Sequence, residues 1–280
     1  MTQHPHGTPG PTGATVAAPP ADRHFGEQGG KLTYGSYLRL DQLLDQQRPQ
    51  AEPPAHDEML FITIHQVYEL WFNQLLHELT DARDMMLGGA AYLPRVRLER
   101  CHVIARVLIE QVDVLETMTP QDFLAFRAQL APASGFQSVR FREVEFLSGA
   151  KDTGYLERLR GLTEGERGQL VRRLAEPSLW DGFVAVLAAA GFDTATPAAR
   201  LHALRTVAYD RAGHGAVWDL AEALVEHDAL FARWRSRHVL MVERQIGTKS
   251  GTGGSSGAPY LRSRLDLRFY PELWELRSQL

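Results

Sequence analysis

A long segment with apolar residues at helical spacing is the feature that most constrains this fold. It runs from Asp57 to Leu87 and reads DEMLFITIHQVYELWFNQLLHELTDARDMML. Its apolar residues recur at intervals of three and four in two adjoining stripes, so they cover a wide arc of the predicted helix. A helix with so wide an apolar arc packs on several sides and is expected at the centre of a helical fold.

Three other segments predict the rest of the architecture. A second long helix is expected from about Arg95 to Met118, a short third helix begins with Thr119 as its cap, and a final long helix runs from about Ala216 to Ile246. Residues 154–212 contain shorter helical pieces and are interpreted as an accessory helical insertion. Strand-like alternation is nearly absent. The predicted fold is therefore an all-α bundle of long helices, with residues 31–280 as a single domain.

Composition and charge exclude several classes of protein. The segment 1–30 is rich in Gly and Pro and has no apolar run, so it is expected to be a disordered tail rather than a signal peptide. The net charge of -4 offers no basic excess for nucleic acid or for an anionic membrane. No apolar run is long enough to span a membrane. The single cysteine, Cys101, cannot form an internal disulfide, which favours the cytoplasm.

A glycine-rich segment after the last long helix predicts a functional loop. Residues 247–257 read GTKSGTGGSSG and contain no side chain suited to a hydrophobic core. The segment lacks the spacing of a phosphate-binding P-loop. Because more apolar sequence follows it, a mobile lid over a site is favoured over a linker.

Histidines inside the long helices are candidate metal ligands. Glu99 and His102 form a single Glu-x-x-His pair, whereas a di-iron site needs two, so a solvated polar patch is the interpretation preferred for them. His65 and His238 each lie among aromatic residues of a long helix. Taken singly, each is explained as a hydrogen-bonded core histidine. Taken together, two imidazoles in an aromatic pocket suit haem better than zinc.

Five segments carry a resemblance to a known family. They occur in the family's order and together span most of residues 32–263, and the strings SGTGGSSG and PASGFQS are unusual. The five segments are LTYGSYLRLDQLL from Leu32, HDEMLFITIHQVYELWFNQLLHEL from His56, LETMTPQDFLAFRAQLAPASGFQS from Leu115, WRSRHVLMVERQIGTKSGTGGSSG from Trp234 and YLRS from Tyr260. They resemble the tryptophan 2,3-dioxygenase family.

The resemblance implies an activity, a cofactor and an assembly. Members of this family are cytoplasmic, all-helical homotetramers that depend on haem. They insert both atoms of O2 across the indole C2–C3 bond of L-tryptophan and give N-formylkynurenine, the first step of tryptophan breakdown through kynurenine. The implied cofactor is one haem b per subunit, with ferrous iron in the active state.

The same resemblance implies the roles of individual residues. His238 would be the axial ligand of the haem iron, and His65 would be the catalytic histidine, orienting the indole N–H by a hydrogen bond rather than acting as a general base. Arg127 would bind the substrate carboxylate, and Thr252 would hold the ammonium and carboxylate ends. The other implied substrate contacts are Phe61, Ile62, Thr63, Ile64, Phe123 and, from a neighbouring subunit, Tyr34, Tyr37 and Leu38.

Two competing interpretations remain open from the sequence. A haem-binding sensor or carrier would explain His238 but would leave Arg127, Thr252 and the glycine-rich loop without a purpose. A related enzyme acting on tryptamine or a substituted indole would use the same haem. Whether substrates without a carboxylate react as well as tryptophan does distinguishes that enzyme from one specific for tryptophan.

Overall fold

The computed structural model describes residues 31–159 and 161–280. The predicted disordered tail, residues 1–30, lies outside the described residues. Within the described ranges the chain forms α-helices and two short 3-10 helices, and it contains no strand. The predicted all-α fold is confirmed.

The first compact unit ends at Gln46, and its described part contains α1 (Tyr34–Leu38) and α2 (Leu40–Leu43). The side chain of Thr33 caps α1 by accepting a hydrogen bond from the backbone N–H of Ser36. Three apolar side chains of α1 are strongly exposed within this unit, namely Tyr34, Tyr37 and Leu38, at 76%, 70% and 40%.

The second compact unit runs from Gln47 to Leu280 and holds the remaining helices. The 3-10 helices are Ala128–Leu130 and Gly135–Gln137. The α-helices are α3 (Glu58–Leu87), α4 (Tyr92–Leu115), α5 (Pro120–Arg127), α6 (Val139–Ser148), α7 (Tyr155–Arg158), α8 (Glu164–Ala175), α9 (Leu179–Ala189), α10 (Pro197–Tyr209), α11 (Arg211–Ile246), α12 (Ala258–Arg262) and α13 (Pro271–Leu276).

The long helices agree closely with the sequence prediction. Helix α3 begins one residue after the predicted start, and α4 begins and ends three residues earlier than expected. The predicted cap of α5 is confirmed, because the Thr119 side chain accepts from the backbone N–H of Asp122. Helix α11 starts at Arg211, before the predicted Ala216, because its first turn continues through a kink at His214.

Helix α4 packs against both α3 and α11, and all three helices contribute to the main hydrophobic core. Leu75 and Leu79 of α3, Leu108 of α4 and Leu224 of α11 are almost fully buried there. Burying one such side chain contributes roughly 1.5–3 kcal/mol, so this three-helix contact is a large source of stability. The prediction that the first long helix is central is confirmed.

The helices between residues 154 and 212 take part in two different clusters. Phe183 of α9 is fully buried in the main core, where α9 packs on α3. A Cβ at Gly182 would lie 2.9 Å from Met86 Cβ, so this contact between α9 and α3 requires glycine. Tyr155 of α7 and Leu170 of α8 instead form a smaller cluster beside α6. The division of the chain into a tail and a single domain with an insertion stays a prediction.

No helix in the described part of the chain is both long enough and apolar enough to cross a membrane.

Candidate functional site

A cavity of about 290 Å³ lies in the second unit, bounded by α3, α5, α6, α11 and the glycine-rich loop. The fold brings to its wall six residues that are far apart in the sequence and that sequence reasoning had singled out. They are Phe61, His65, Phe123, Arg127, His238 and Thr252.

Three of the predicted contacts do not reach this wall. Consecutive residues on a helix point about 100° apart, so Phe61 and His65 share a face that the residues between them do not. Ile64 is buried in the main core, Thr63 is exposed, and Ile62 is half-buried without lining the cavity. The structure therefore does not bring Ile62, Thr63 or Ile64 to the cavity.

Aromatic rings form one side of the cavity. The rings of Phe61 and Phe123 are stacked, with centroids 5.6 Å apart and planes inclined by 24°. Phe126 contacts both rings edge-on, at 5.5 and 5.4 Å. Stacked and edge-on rings with buried support make a rigid, flat apolar surface, which suits a planar aromatic ligand.

His65 is held in one orientation and one tautomer by its own helix. Its Nδ1 lies 2.7 Å from the carbonyl oxygen of Phe61, and because a carbonyl only accepts, Nδ1 carries the proton. Burial lowers the pKa of His65, with the hydrogen bond to Phe61 opposing that shift, so the neutral ring is favoured. The unprotonated Nε2 is then available to accept a hydrogen bond from a ligand.

His238 lies on α11 with its ring parallel to that of Trp234, at a centroid distance of 5.3 Å and an angle of 3°. Trp234 in turn contacts the rings of Phe141 and Phe72. Burial lowers the pKa of His238 to about 4, with a smaller contribution from the charge of His65. The cavity therefore presents a neutral imidazole supported by aromatic rings.

Two hydrogen bonds attach the glycine-rich loop to the cavity wall, one from Arg127 of α5 and one from Thr252 of the loop itself. Arg127 donates from Nη2 to the carbonyl oxygen of Ser250. Thr252 donates from Oγ1 to the carbonyl oxygen of Ala133 at 2.6 Å. A Cβ at Gly257, where φ is +69°, would lie 2.5 Å from the carbonyl oxygen of Lys249, so this closed path requires glycine. The loop forms part of the cavity wall, as expected for a lid.

Charged residues of the cavity wall escaped the sequence analysis. Arg142 and Glu145 of α6 are 6% and 2% exposed, form an ion pair and line the cavity. Arg235 and Arg264 line it as well. The sequence signal for Arg142 and Glu145 is charge placed among the apolar residues of REVEFL in α6, and for Arg235 it is charge beside Trp234 in α11. Arg264 has no such signal.

The Glu99 and His102 pair differs in part from its prediction. Glu99 pairs with Arg95 at the surface. His102, however, is buried, and its Nε2 lies 2.9 Å from the carbonyl oxygen of Ala223 in α11. The interpretation of His102 as solvated is wrong, because α11 packs against that face of α4.

Across residues 31–159 and 161–280, no group of three or more His, Cys, Asp or Glu side chains could hold a metal ion.

Comparisons with known proteins agree with one another. A sequence model described as "Tryptophan 2,3-dioxygenase" matches residues 20–180 and 188–280. The chain is 64% identical to the tryptophan 2,3-dioxygenase of Nocardioides sp. over 91% of this chain and 97% of that protein. It is 44% identical to the protein of the same name from Herpetosiphon aurantiacus, over 89% and 98%. The matched ranges include all six cavity residues named above.

Proposed function

The chain belongs to the tryptophan 2,3-dioxygenase family, and we propose that it opens the indole ring of L-tryptophan with O2 at the C2–C3 bond. The product is N-formylkynurenine, and the proposed compartment is the cytoplasm. One observation carries this proposal. An aromatic slot, an oriented imidazole and a guanidinium line the same cavity as a second imidazole, that of His238.

Arg127 is the proposed anchor of the substrate carboxylate. Its planar guanidinium offers paired N–H donors that match a carboxylate. In the structure one of these donors bonds to the carbonyl of Ser250, so the loop already holds the side chain at the cavity. Thr252 lies on the same loop, and its hydroxyl oxygen can accept from the substrate ammonium while it donates to Ala133.

His65 is the proposed partner of the indole N–H. Because its Nδ1 proton is committed to the carbonyl of Phe61, Nε2 is the acceptor, and the indole nitrogen donates to it. The indole ring lies on the stacked rings of Phe61 and Phe123. An indole N–H is a weak acid, so His65 orients the substrate and does not need to remove the proton.

The cavity fits haem on the chemistry of its donor groups. A neutral imidazole in an aromatic, apolar wall is a donor by which proteins hold haem iron, and His238 would be that axial ligand. The ring of Trp234 stacks on that of His238 and is itself contacted by Phe141, so the histidine that would hold the iron is supported by aromatic rings. When bound, haem supplies the activation of O2 that side chains lack. The protein positions L-tryptophan and excludes water when the loop closes.

Turnover of a substrate series tests this function. We expect the reduced protein to convert L-tryptophan to N-formylkynurenine, and to convert tryptamine and indole-3-propionate much more slowly, because each lacks one of the two charged ends. The measurement is product formation under O2 by chromatography and mass spectrometry. A haem sensor or carrier would bind haem without turnover, and an indole oxidase would convert tryptamine as fast as tryptophan.

The assembly proposed with this function is a homotetramer. Tyr34, Tyr37 and Leu38 occupy positions i, i+3 and i+4 and share one face of α1, which is strongly exposed within its own unit. Exposed aromatic side chains at helical spacing are typical of a surface that another chain covers. In the proposed tetramer this face completes the substrate site of a neighbouring subunit.

Mixed tetramers test whether this face acts on a neighbouring subunit. A Tyr37→Ala chain lacks an intact α1 face, and a His238→Ala chain lacks an intact haem site. Each variant alone is therefore expected to be nearly inactive. Mixing them under conditions of subunit exchange should restore part of the activity, since one pocket can combine the intact half of each partner. The measurement is turnover by mixtures whose composition is verified by native mass spectrometry. Verified mixed tetramers no more active than their parents would contradict the shared site.

A further inference from the structure

Three arginines form part of the cavity wall and are not used by the proposed function. They are Arg142 of α6, Arg235 of α11 and Arg264, which follows α12, and we call them the arginine wall. Arg142 and Arg235 are 6% and 5% exposed. Side chains of this type are almost never so deeply buried unless they are paired. The hydrogen-bond donors of these arginines that the protein leaves unpaired therefore indicate what kind of ligand the cavity binds.

The arginine wall carries several buried donors without a partner. The Nε atoms of Arg142, Arg235 and Arg264, together with Nη1 of Arg235, are buried and make no hydrogen bond to the described residues. An unpaired buried donor is destabilising, and more so when it is charged. The residues that carry these four donors line one cavity, which suits a ligand that accepts hydrogen bonds.

Arg142 and Arg235 do have protein partners, but these partners do not bond to the donors named above. Arg142 pairs with buried Glu145 through Nη1 and lies over the ring of Tyr155, with the guanidinium carbon 3.9 Å from the ring centroid. Arg235 donates from Nη2 to the carbonyl of Leu267 at 2.8 Å, and the same nitrogen lies 4.0 Å from Asp228. Each guanidinium thus keeps donors that its protein partners do not use.

Arginines outnumber carboxylates on the cavity wall, since Arg127, Arg142, Arg235 and Arg264 line it against Glu69 and Glu145. Arg264 is only loosely paired, with Nη1 3.9 Å from a carboxylate oxygen of Asp152. Burial lowers the pKa of Arg235, and the charges of Arg264 and Arg268 lower it further, while Glu145 and Asp228 oppose the shift. Among the buried carboxylates, Glu145 faces Arg142 and Arg235, and Asp228 faces Arg235. An anion is therefore the expected ligand.

We propose that the arginine wall binds the propionate carboxylates of the haem whose axial ligand is His238. This inference rests on the proposed function. Arg235 lies three residues before His238 on α11 and lines the same cavity, so a planar macrocycle held at His238 has a guanidinium beside it. Carboxylates accept paired hydrogen bonds from guanidinium groups, and the unpartnered donors supply them. Arg127 remains for the carboxylate of the substrate.

Haem dissociation from the holoprotein tests this proposal. Arg264→Met removes a cation whose protein partner is loose. Arg142→Met with Glu145→Gln removes both members of a buried pair, and Arg235 keeps Asp228 as its carboxylate partner. We expect each to speed haem transfer to excess apomyoglobin by about 10-fold, the effect of losing a hydrogen bond to a charged group. Arg233→Met is the matched control, because Arg233 is an exposed residue of α11 that pairs with Glu226. It should leave the rate unchanged.

Haem dimethyl ester, which lacks the carboxylates, separates recognition from general stability. The full-length wild-type chain should release the ester about 10-fold faster than haem or more, and this preference should shrink in both variants. Equal rates for haem and ester in the wild type would overturn the proposal. So would variants that release both compounds faster by the same factor, because that is a structural effect. A chain that binds neither compound would contradict the haem site at His238 itself, a different failure.

Discussion

Replacing His238 with Ala is expected to remove most of the bound haem and almost all turnover. The aromatic wall would still contact the macrocycle, but the axial bond to iron would be gone. Loss of an outer-shell partner of a metal site already costs about 10- to 100-fold in affinity, so loss of the ligand itself should cost at least about 100-fold. The measurements are the haem-to-protein ratio and the absorption spectrum of the reduced protein.

Two controls separate loss of the ligand from loss of the fold. His77→Ala changes an exposed histidine of α3 and should leave haem content unchanged. In His238→Gly, free imidazole should enter the space left by the side chain and restore haem binding, whereas a misfolded chain would not respond. A His238→Ala protein that kept a normal histidine-ligated spectrum and normal activity would show that another residue holds the haem.

The long helices could be predicted because their apolar period is strong. In α3 the apolar stripes, including Leu75 and Leu79, continue for many turns and so determine which side of the helix is buried. The side chain of Thr119 and the proline after it similarly marked the start of α5. These signals are local in sequence, so they do not depend on which helices pack together.

The charged wall of the cavity could not be predicted in this way. Arg142 and Glu145 are three residues apart, the spacing of an ordinary solvated ion pair on a helix. Their burial arises only because α6 packs against α3, α8 and α9. His102 was misread for the same reason, since its partner is the carbonyl of Ala223 on a distant helix. Long-range packing decides whether a polar side chain on a helix is solvated or buried.

The family resemblance and the structure contribute different parts of the site. The resemblance implied a role for the whole stretch from Phe61 to His65, whereas helical geometry brings only its two ends to the cavity. The glycine-rich loop could be predicted as a lid from composition. Its attachment through Thr252 to Ala133 joins segments more than a hundred residues apart and is visible only in the fold.

Arg127→Leu is expected to cost about 2–5 kcal/mol in kcat/KM, roughly 30- to 5000-fold, with no change in haem content. Replacing an arginine of an exposed surface ion pair would cost at most about 1 kcal/mol, because solvent screens such a pair. The larger value follows from the position of Arg127 under the glycine-rich loop, where the carboxylate and the guanidinium lose water together. Steady-state kinetics with L-tryptophan give the value. Arg233→Leu, on the exposed side of α11, is the control.

The loss in Arg127→Leu should depend on the carboxylate of the ligand. Indole-3-propionate, measured by calorimetry, should bind the variant at least about 10-fold more weakly than the wild type, because its carboxylate loses a charged partner. 3-Methylindole has no carboxylate and should bind both proteins equally, since the stacked rings of Phe61 and Phe123 are unchanged. Equal weakening of both ligands would mean that Arg127 only supports the loop through Ser250, and wild-type kinetics would return it to an ordinary surface charge.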